Sequence, residues 1–400
     1  MFSLLRVDAI PRVFVSLELC LDAAALLFLP ILALAPHGIA PLVSIAGVVA
    51  LGLIQRNGMA GLRRLEPPAV LLGALLVWAA FSAIWSVDPA HSLLIAARLG
   101  GLFTAGLALT AAAEALLSPR RLLLCFYIGL VLALAVMLIQ YATGGLLTRP
   151  FVTRGFFAPQ LNQASDTLAF LVLPASASLL YLGWTRVSFV LAAATLAVIY
   201  GLVGTAAKMA LCVGMAFAAL HYFSPRRIPR LAALLCVLIV ITAPLTFARL
   251  AQLQAVTETA QRVKFSAWHR LMTWSFAGDR IAERPFIGWG LDAARAIPGA
   301  DEPIYEGRVW LQLHPHNAAI QVWLELGVPG AVLVALIVAW LWLSLAAAPW
   351  PRLFAAAAGG SLMTAFVAAV GAYGIWQEWW IGTLWFSLFL TLVMSRWVGG

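Results

Sequence analysis

Long apolar stretches recur along the whole sequence, and many reach the 18 or so residues that a helix needs to cross a bilayer. Segments in lipid must satisfy their backbone hydrogen bonds internally, which favours helices. A transmembrane barrel would instead show segments of about ten residues with alternating polarity. The pattern predicts an all-α, polytopic integral membrane protein with about 12 transmembrane helices, over residues 13–34, 39–54, 67–87, 91–113, 122–142, 162–182, 187–204, 206–223, 231–247, 328–347, 352–374 and 379–396.

The composition agrees with this prediction. The chain has 400 residues, of which 63% are hydrophobic and 10% charged, whereas a soluble domain carries about 25% charged residues. Arg6 and Arg12 precede the first apolar stretch, as in a signal peptide. However, Pro36 follows the small residues 33–35 and gives a poor cleavage context. We therefore expect this stretch to remain as the first transmembrane helix.

The distribution of arginine predicts the orientation. An even number of spans puts both termini on the same side of the membrane. Short loops rich in arginine and lysine stay in the cytoplasm, so the side that carries them is cytoplasmic. The predicted periplasmic side has the loop 143–161 and one large segment. The chain then divides into residues 1–247 with nine helices, 248–327 with the periplasmic loop domain and catalytic segment, and 328–400 with three helices. The cytoplasmic side collects Arg6, Arg12, Arg56, Arg63, Arg64, Arg120, Arg121, Arg186, Arg226, Arg227, Arg230, Arg352 and Arg396.

The large loop carries a candidate amphipathic helix. Residues 256–284 are predicted as one helix that Pro285 ends. Its cations lie beside Trp and Phe, which is typical of a helix at the membrane interface. The next residues, RPFIGWGLD at 284–292, predict a glycine-rich turn.

Two arginines in the loop 143–161, Arg149 and Arg154, have no acidic residue nearby. They favour a partner that carries phosphate. Contact with anionic lipid headgroups is the alternative explanation.

Few ionisable residues lie within the predicted spans, and such residues usually face the bundle interior. Glu18 and Asp22 share a helix face, and Arg98 is the expected partner. Lys208 lies near the outer end of its helix, within reach of an outward-facing cavity. Polar groups are too sparse at mid-depth for a proton relay, and no segment resembles a channel filter. The sequence therefore favours chemistry at the outer face over transport.

Two of the six histidines, His314 and His316, stand close together in HPHNAAIQ. Pro315 biases His314 toward an extended backbone, and a helix is predicted to begin near His316 or Asn317. The positive end of the helix dipole disfavours a protonated imidazole there, so that His316 can accept a proton near pH 7. A capping or surface histidine is the alternative.

These residues carry a resemblance to a known family. The segment 316–330 resembles the signature of the O-antigen ligase and polymerase superfamily. It consists of His316 and Asn317, then Gly327 after nine residues, then Gly330 after two more. Arg270 with RPFIGWGL, and residues 158–174, are similar to further segments of that family. The family often has Ser-x-Ser-Arg where this chain has Thr205-Ala-Ala-Lys208, so that bidentate phosphate binding is lost there. Residues 327–330 are then expected to join a short surface helix to the next span.

The resemblance implies a GT-C-like glycosyltransferase of a Gram-negative inner membrane. It implies transfer of O-antigen from undecaprenyl pyrophosphate to lipid A–core at the periplasmic face, with membrane lipids as neighbours and no nucleic acid. His316 is the expected general base and Arg270 the expected pyrophosphate ligand. No metal and no cofactor are expected. The expected substrate-binding residues are Lys208, Arg154, His314, Asn317, Arg149, Gln160 and Asn162.

Other functions stay open at this point. An O-antigen or exopolysaccharide polymerase and a protein O-oligosaccharyltransferase differ from the ligase mainly in the acceptor. Neither Arg149, Arg154 nor Arg270 is followed by glycine eleven residues on, which weakly favours a ligase over a polymerase. A lipid-linked sugar flippase and a scaffold protein are the alternatives from other classes.

Overall fold

The computed structural model describes residues 9–57, 65–149, 158–202, 204–305 and 307–399. These residues form fourteen α-helices and one two-stranded antiparallel hairpin. The helices are α1 Ala9–Leu34, α2 Ile39–Asn57, α3 Glu66–Phe81, α4 Pro89–Ala115, α5 Pro119–Thr143, α6 Asn162–Tyr181, α7 Thr185–Gly201, α8 Thr205–Phe223, α9 Arg227–Gln252, α10 Gln254–Val263, α11 Phe265–Glu283, α12 Ala318–Ala347, α13 Arg352–Gly371 and α14 Glu378–Val398. The strands are β1 Pro303–Tyr305 and β2 Arg308–Val309.

Each of the twelve predicted spans coincides with a helix. In the part of the chain that the structure describes, eleven segments are long and apolar enough to cross a membrane. The remaining one, α7, is apolar but has only 17 residues. The all-α, multi-pass prediction is confirmed, with eleven full-length candidate spans and one shorter helix.

Two helices replace the single helix predicted over residues 256–284, and that prediction was wrong in detail. The break is at Lys264, whose backbone is extended at φ −164° and ψ 120°. Its side-chain amine donates to Oγ1 of Thr205 on α8, 3.2 Å away. Neither glycine nor proline lies at the break, so local sequence gives no signal for it.

The ion pair predicted between Arg98 and the acids of α1 was also wrong. Arg121 in the first turn of α5 hydrogen-bonds to Asp22 and lies 3.6 Å from Glu18. Arg98 instead contacts Glu378 at 2.7 Å. The reason is that α5 packs along α1, which brings Arg121 opposite the two acids, while Arg98 lies near the other end of the bundle.

The connections 82–88, 253–317 and 372–377 meet at one end of the bundle, which we call the loop end. Ser92 near the start of α4 donates to the carbonyl of Leu291, 2.7 Å away. Trp85 donates to the carbonyl of Ile287 at 3.1 Å. A hydrophobic cluster beneath the loop end packs α9, α11 and α12 together, with Val240, Ala243, Phe276, Ala277, Ile281, Ile320 and Leu324 buried.

The first turns of α12 belong to this cluster. The sequence predicted a short surface helix before Gly327, but residues 318–326 are almost wholly buried, with Ile320, Val322 and Leu324 fully covered. The prediction of a joint was correct, because Gly327 interrupts α12 with φ 61° and ψ −157°. The histidine segment therefore precedes a buried helix rather than a surface one.

Candidate functional site

The segment 314–316 is fixed by hydrogen bonds to its backbone. Nε1 of Trp274 on α11 donates to the carbonyl of Pro315, 2.8 Å away. The amide of His316 donates to Nδ1 of His314 at 3.2 Å. His316 has φ 53°, which is uncommon for a residue other than glycine. A conformation of this kind persists only when its surroundings impose it, and it is often found at functional sites.

Asn317 caps the helix that follows. Its Oδ1 accepts from the backbone N–H of Ile320 at 3.1 Å, and α12 begins at Ala318. The capping role that the sequence left open for a histidine therefore belongs to Asn317. Its Nδ2 is buried and has no hydrogen-bond partner among the described residues.

A backbone carbonyl fixes the tautomer of His316. Nδ1 of the ring lies 2.8 Å from the carbonyl oxygen of Ala372, in the connection between α13 and α14. A carbonyl can only accept, so Nδ1 carries the proton in the neutral ring and Nε2 has a free lone pair. His316 is thus arranged to accept a proton at Nε2.

The pKa values of both histidines lie below the ordinary value. Burial is the main cause for His316, and the neighbouring Arg270 and His269 lower its pKa further, while the bond to Ala372 opposes them. The sequence suggested the helix dipole as the cause, but burial dominates. Burial, His316 and two arginines lower the pKa of His314 to about 3. Both rings are therefore neutral near pH 7.

A pocket of about 230 Å³ opens beside these rings. From α11 it is lined by Phe265, Ser266, His269, Arg270 and Thr273. From the segment after β1 it is lined by Arg308, Gln312, His314 and His316. No carboxylate lines it among the described residues, so the pocket is positively charged and suits an anion.

Arg270 is the more buried of the two arginines that line this pocket. Its side chain is half-buried, and this burial lowers the pKa of the guanidinium. The neighbouring Asp166 and Tyr373 raise the pKa and so act against burial. Tyr373 donates a hydrogen bond to Oδ2 of Asp166 at the start of α6. Burial and the neighbouring Asp166 raise the pKa of Tyr373 well above its ordinary value. Asp166 is buried, and its Oδ1 has no partner among the described residues. The pair lies within electrostatic range of Arg270 and favours its charged form.

The glycine-rich turn after α11 interlocks with the kink in α12. Gly290 N–H donates to the carbonyl of Glu325 at 2.9 Å, and Val328 N–H donates to the carbonyl of Pro285 at 3.0 Å. A Cβ atom on Gly327 would lie 2.4 Å from the carbonyl oxygen of Phe286. The close approach of two backbones explains why glycines stand at these positions.

Glu325 ties three segments of the loop end together. Its carboxylate accepts from Gln321 Nε2 at 3.0 Å, from Trp376 Nε1 at 2.6 Å and from the backbone N–H of Asp292 at 2.7 Å. Gln321 in turn accepts from the amide of Ile375 at 2.9 Å. Glu325 therefore fixes the connection 372–377, which also supplies the carbonyl that orients His316.

The structure does not bring Lys208 and Arg149 into the pocket. Nζ of Lys208 donates to the carbonyl of Leu202 at 2.7 Å. Arg149 donates to the carbonyl of Thr143 at 2.8 Å and so closes the end of α5. Both residues stay predictions for substrate binding, without a described contact to His316.

The remaining predicted residues lie near the start of α6. Gln160 is exposed and Asn162 is half-buried. A Cβ atom on Gly204 would lie 2.7 Å from Oδ1 of Asn162, so Asn162 packs against the start of α8. Arg154 lies outside the described residues.

Sequence reasoning missed several residues of the pocket and its support. His269 precedes Arg270, and its Nε2 lies 3.0 Å from the carbonyl of Val309. Arg308 and Gln312 follow the acidic residues Asp301, Glu302 and Glu306 and belong to no motif. Glu325 is hidden in an apolar run. The only sequence signal for His269 was its position directly before Arg270. The roles of Arg308, Gln312 and Glu325 depend on the packing of segments that are distant in the sequence.

Comparisons with known proteins show what the sequence is similar to. Residues 189–335 match the sequence model of a protein family described as O-antigen ligase. A Rickettsia conorii protein named "Putative polysaccharide ligase" is 26% identical over 326 residues, covering 80% of this chain and 78% of that protein. A Rickettsia prowazekii protein of the same name is 28% identical over 276 residues, covering 67% of each chain. A third, from Rickettsia typhi, is 26% identical over 329 residues, covering 80% and 79%.

Fold and site together define a multi-pass helical membrane protein with a cationic, histidine-containing pocket at one end. The matched segment contains Lys208, Arg270 and His316. Over residues 189–335 the chain is similar to the O-antigen ligase family, and over most of its length it is similar to proteins named as polysaccharide ligases.

Proposed function

We propose that the protein transfers a glycan from a polyprenyl pyrophosphate, undecaprenyl pyrophosphate in a Gram-negative bacterium, to a sugar hydroxyl of lipid A–core. The observation that carries this proposal is the joint presence in one pocket of His316, with Nε2 free, and Arg270. A base and a fixed guanidinium are the two groups that such a transfer needs.

The chemistry is a substitution at the anomeric carbon of the donor. The acceptor oxygen forms a bond to this carbon, and the bond from carbon to the pyrophosphate oxygen breaks. The acceptor hydroxyl gives its proton to Nε2 of His316, while the bonding electrons leave with the polyprenyl pyrophosphate. General base catalysis of this kind contributes roughly 10²–10⁴-fold to the rate.

The leaving pyrophosphate gains negative charge, and Arg270 and Arg308 are the proposed groups that stabilise it. A guanidinium can form two parallel hydrogen bonds with phosphate oxygens. Asp166 and Tyr373 favour the charged form of Arg270 electrostatically, against the effect of burial. His314 lines the pocket as a proposed substrate-binding residue, and it also supports His316 by accepting a hydrogen bond from its backbone amide.

We further propose that the loop end faces the periplasm of a Gram-negative inner membrane. Arginine-rich connections lie at the opposite end of the bundle, where Arg121 in the first turn of α5 contacts Asp22 on α1 and Arg396 donates to the carbonyl of Ala113 near the end of α4. Basic connections stay in the cytoplasm. Both substrates of the proposed reaction are lipid-anchored, which fits a pocket beside the membrane surface.

An assay with purified protein, polyprenyl-pyrophosphate glycan and lipid A–core tests the proposal. We expect the product to be glycan joined to lipid A–core. A lengthened carrier-linked glycan would instead identify a polymerase, and a glycosylated protein acceptor would identify an oligosaccharyltransferase.

Metal independence is a second part of the proposal. We expect transfer to continue in excess chelator, because the proposed stabilisation of the leaving group comes from arginine side chains. Loss of transfer that added magnesium restores would contradict this part alone.

A further inference from the structure

Three aromatic side chains form a cluster at the loop end, which we call the aromatic cluster: Phe265, Trp268 and Tyr305. Ring centroids lie 5.4 Å apart for Phe265 and Trp268, 6.0 Å for Phe265 and Tyr305, and 5.9 Å for Trp268 and Tyr305. Phe265 and Trp268 are three residues apart on α11 and so share a helix face. Tyr305 ends β1, which brings the hairpin against α11.

The aromatic cluster lies outside the hydrophobic core. None of its three residues belongs to the buried apolar clusters of the described chain. Tyr305 is 50% exposed, and the other two are partly exposed. Partly exposed aromatic rings that do not fill a core are typical of a surface that binds another molecule.

The aromatic cluster is continuous with the pocket that contains His316. Phe265 belongs to the cluster and also lines the pocket, next to Ser266, Arg308 and Gln312. The side chains of these three polar neighbours make no hydrogen bond or ion pair with another described residue. The mouth of the pocket thus combines apolar ring surface with free hydrogen-bonding groups.

We propose that the aromatic cluster is a binding platform for the pyranose ring next to the reacting sugar. A pyranose has an apolar C–H face, which fits a ring surface, and hydroxyl groups at its edge, which fit Ser266, Gln312 and Arg308. The inference rests on the proposed function and specifies where that glycan is held. The sugar comes either from the donor glycan or from the core acceptor, since both present the same chemistry.

A lipid headgroup is the competing occupant, because Trp and Tyr are enriched at membrane interfaces. The pocket chemistry favours the sugar. The walls beside the cluster are polar and carry histidine and arginine, whereas a site for acyl chains would continue into an apolar wall.

Binding of soluble oligosaccharides tests the platform separately from catalysis. The full-length protein in detergent is titrated with two probes: core oligosaccharide freed of lipid A, and O-glycan freed of its carrier. We expect Tyr305→Ala and Phe265→Ala to weaken binding of one probe about 3- to 10-fold, and the affected probe identifies the source of the sugar. Tyr305→Phe keeps the ring and is expected to bind like the unmodified protein.

Controls separate this outcome from folding defects and from failure of the proposed function. Phe286→Ala removes another aromatic side chain of the loop end, which is 72% exposed, and is expected to change nothing. Tyr305→Leu replaces the ring with an aliphatic side chain if the alanine variant fails to fold, and it is expected to lose the same binding. His37→Ala, in the connection between α1 and α2, is expected to bind both probes normally, because His37 belongs neither to the platform nor to the pocket.

Unchanged binding of both probes by folded Tyr305→Ala and Phe265→Ala would overturn the platform. Normal sugar binding together with weaker binding of phosphatidylglycerol vesicles would assign the cluster to the membrane instead. In the transfer assay, platform variants are expected to raise the KM of one substrate with little change in kcat, because they remove binding that is equal in ground and transition states.

Discussion

At the scale of single residues, the two histidines of segment 314–316 are held in different tautomers and have different roles. His314 accepts at Nδ1 from the amide of His316, whereas His316 donates from Nδ1 to Ala372. Only His316 combines a carbonyl partner on Nδ1 with an unoccupied Nε2 at the pocket. Arg270 completes the site from α11, and its charge adds to the effect of burial, which is the main cause of the lowered pKa of both rings.

Replacing Arg270 tests the leaving-group part of the mechanism. We expect Arg270→Ala to lower kcat by roughly 10²–10³, the usual effect of removing a fixed hydrogen-bond donor from a developing charge. Arg270→Lys keeps the charge but loses the two-pronged geometry, so its kcat is expected to fall in between. Steady-state kinetics measure both effects.

Arg262→Ala is the matched control. The side chain of Arg262 is 81% exposed on α10, and its removal is expected to change kcat by less than about twofold. An Arg270→Ala variant with kcat equal to this control would remove Arg270 from the mechanism.

The buried His314 predicts how stability depends on pH. Its pKa is about 3 in the folded protein and 6.5 in an ordinary environment, so that between these values the unfolded state binds more protons. Stability is therefore complete above pH 6.5 and falls as the pH drops toward 3. The midpoint of thermal unfolding, measured across this range, is expected to decrease on acidification.

His314→Gln isolates this effect, since a glutamine does not titrate and its amide oxygen can still accept from His316. Its unfolding midpoint is expected to vary less with pH than that of the unmodified protein. Identical pH profiles for the two proteins would contradict the assignment to His314.

At the scale of elements, the site depends on two backbone segments that fit into each other. The turn 284–292 lies against α12 where Gly327 interrupts the helix. Glu325 is two residues before Gly327 and links both segments to the connection 372–377. A change in this interlock therefore reaches the carbonyl that orients His316.

Gly327→Ala tests the interlock. The backbone at φ 61° and ψ −157° is essentially restricted to glycine, and forcing alanine into it costs about 1–3 kcal/mol. The overlap with the carbonyl of Phe286 adds to this cost. We expect a lower midpoint of thermal unfolding and reduced transfer.

Gly73→Ala is the control, because a Cβ atom there meets no atom within 4 Å and alanine favours a helix over glycine by roughly 0.5–1 kcal/mol. Equal midpoints of thermal unfolding for Gly327→Ala and the unmodified protein would show that residue 327 tolerates a Cβ atom and would contradict the interlock.

The sequence predicted these elements unevenly, for physical reasons. Apolar periodicity located all twelve apolar helices, because lipid leaves the backbone few alternatives. It missed the break at Lys264, which a contact with Thr205 on α8 stabilises. It also placed residues 318–326 at the surface, since their burial depends on α9 and α11, which are distant in sequence. His316 and Arg270 were accessible from motif spacing, but His269, Arg308 and Glu325 required the packing.

At the scale of the whole molecule, the loops that build the site lie at one end of the bundle, and a group of described arginines, among them Arg121, Arg227 and Arg352, lies at the other. The proposed orientation predicts which positions a reagent outside the inner membrane can reach. In a variant without Cys20, Cys125, Cys212 and Cys236, Glu258→Cys is expected to react with an impermeant maleimide in cells with a permeabilised outer membrane. Both Glu258 and Arg186 are exposed, and Arg186→Cys is expected to react only after lysis. The reverse pattern would invert the proposed topology.

The most direct test of the account is the rate of glycan transfer by purified His316→Ala, compared with His37→Ala as a histidine control at the same end of the bundle. His37 lies in the connection between α1 and α2, away from the pocket. We predict that His316→Ala folds, binds its substrates and transfers glycan roughly 10²–10⁴-fold more slowly. In the unmodified protein, the rate is expected to hold above pH 6.5 and to fall only as the pH drops through the lowered pKa of His316. Transfer by folded His316→Ala at the rate of the control would contradict the assignment of His316 as the base.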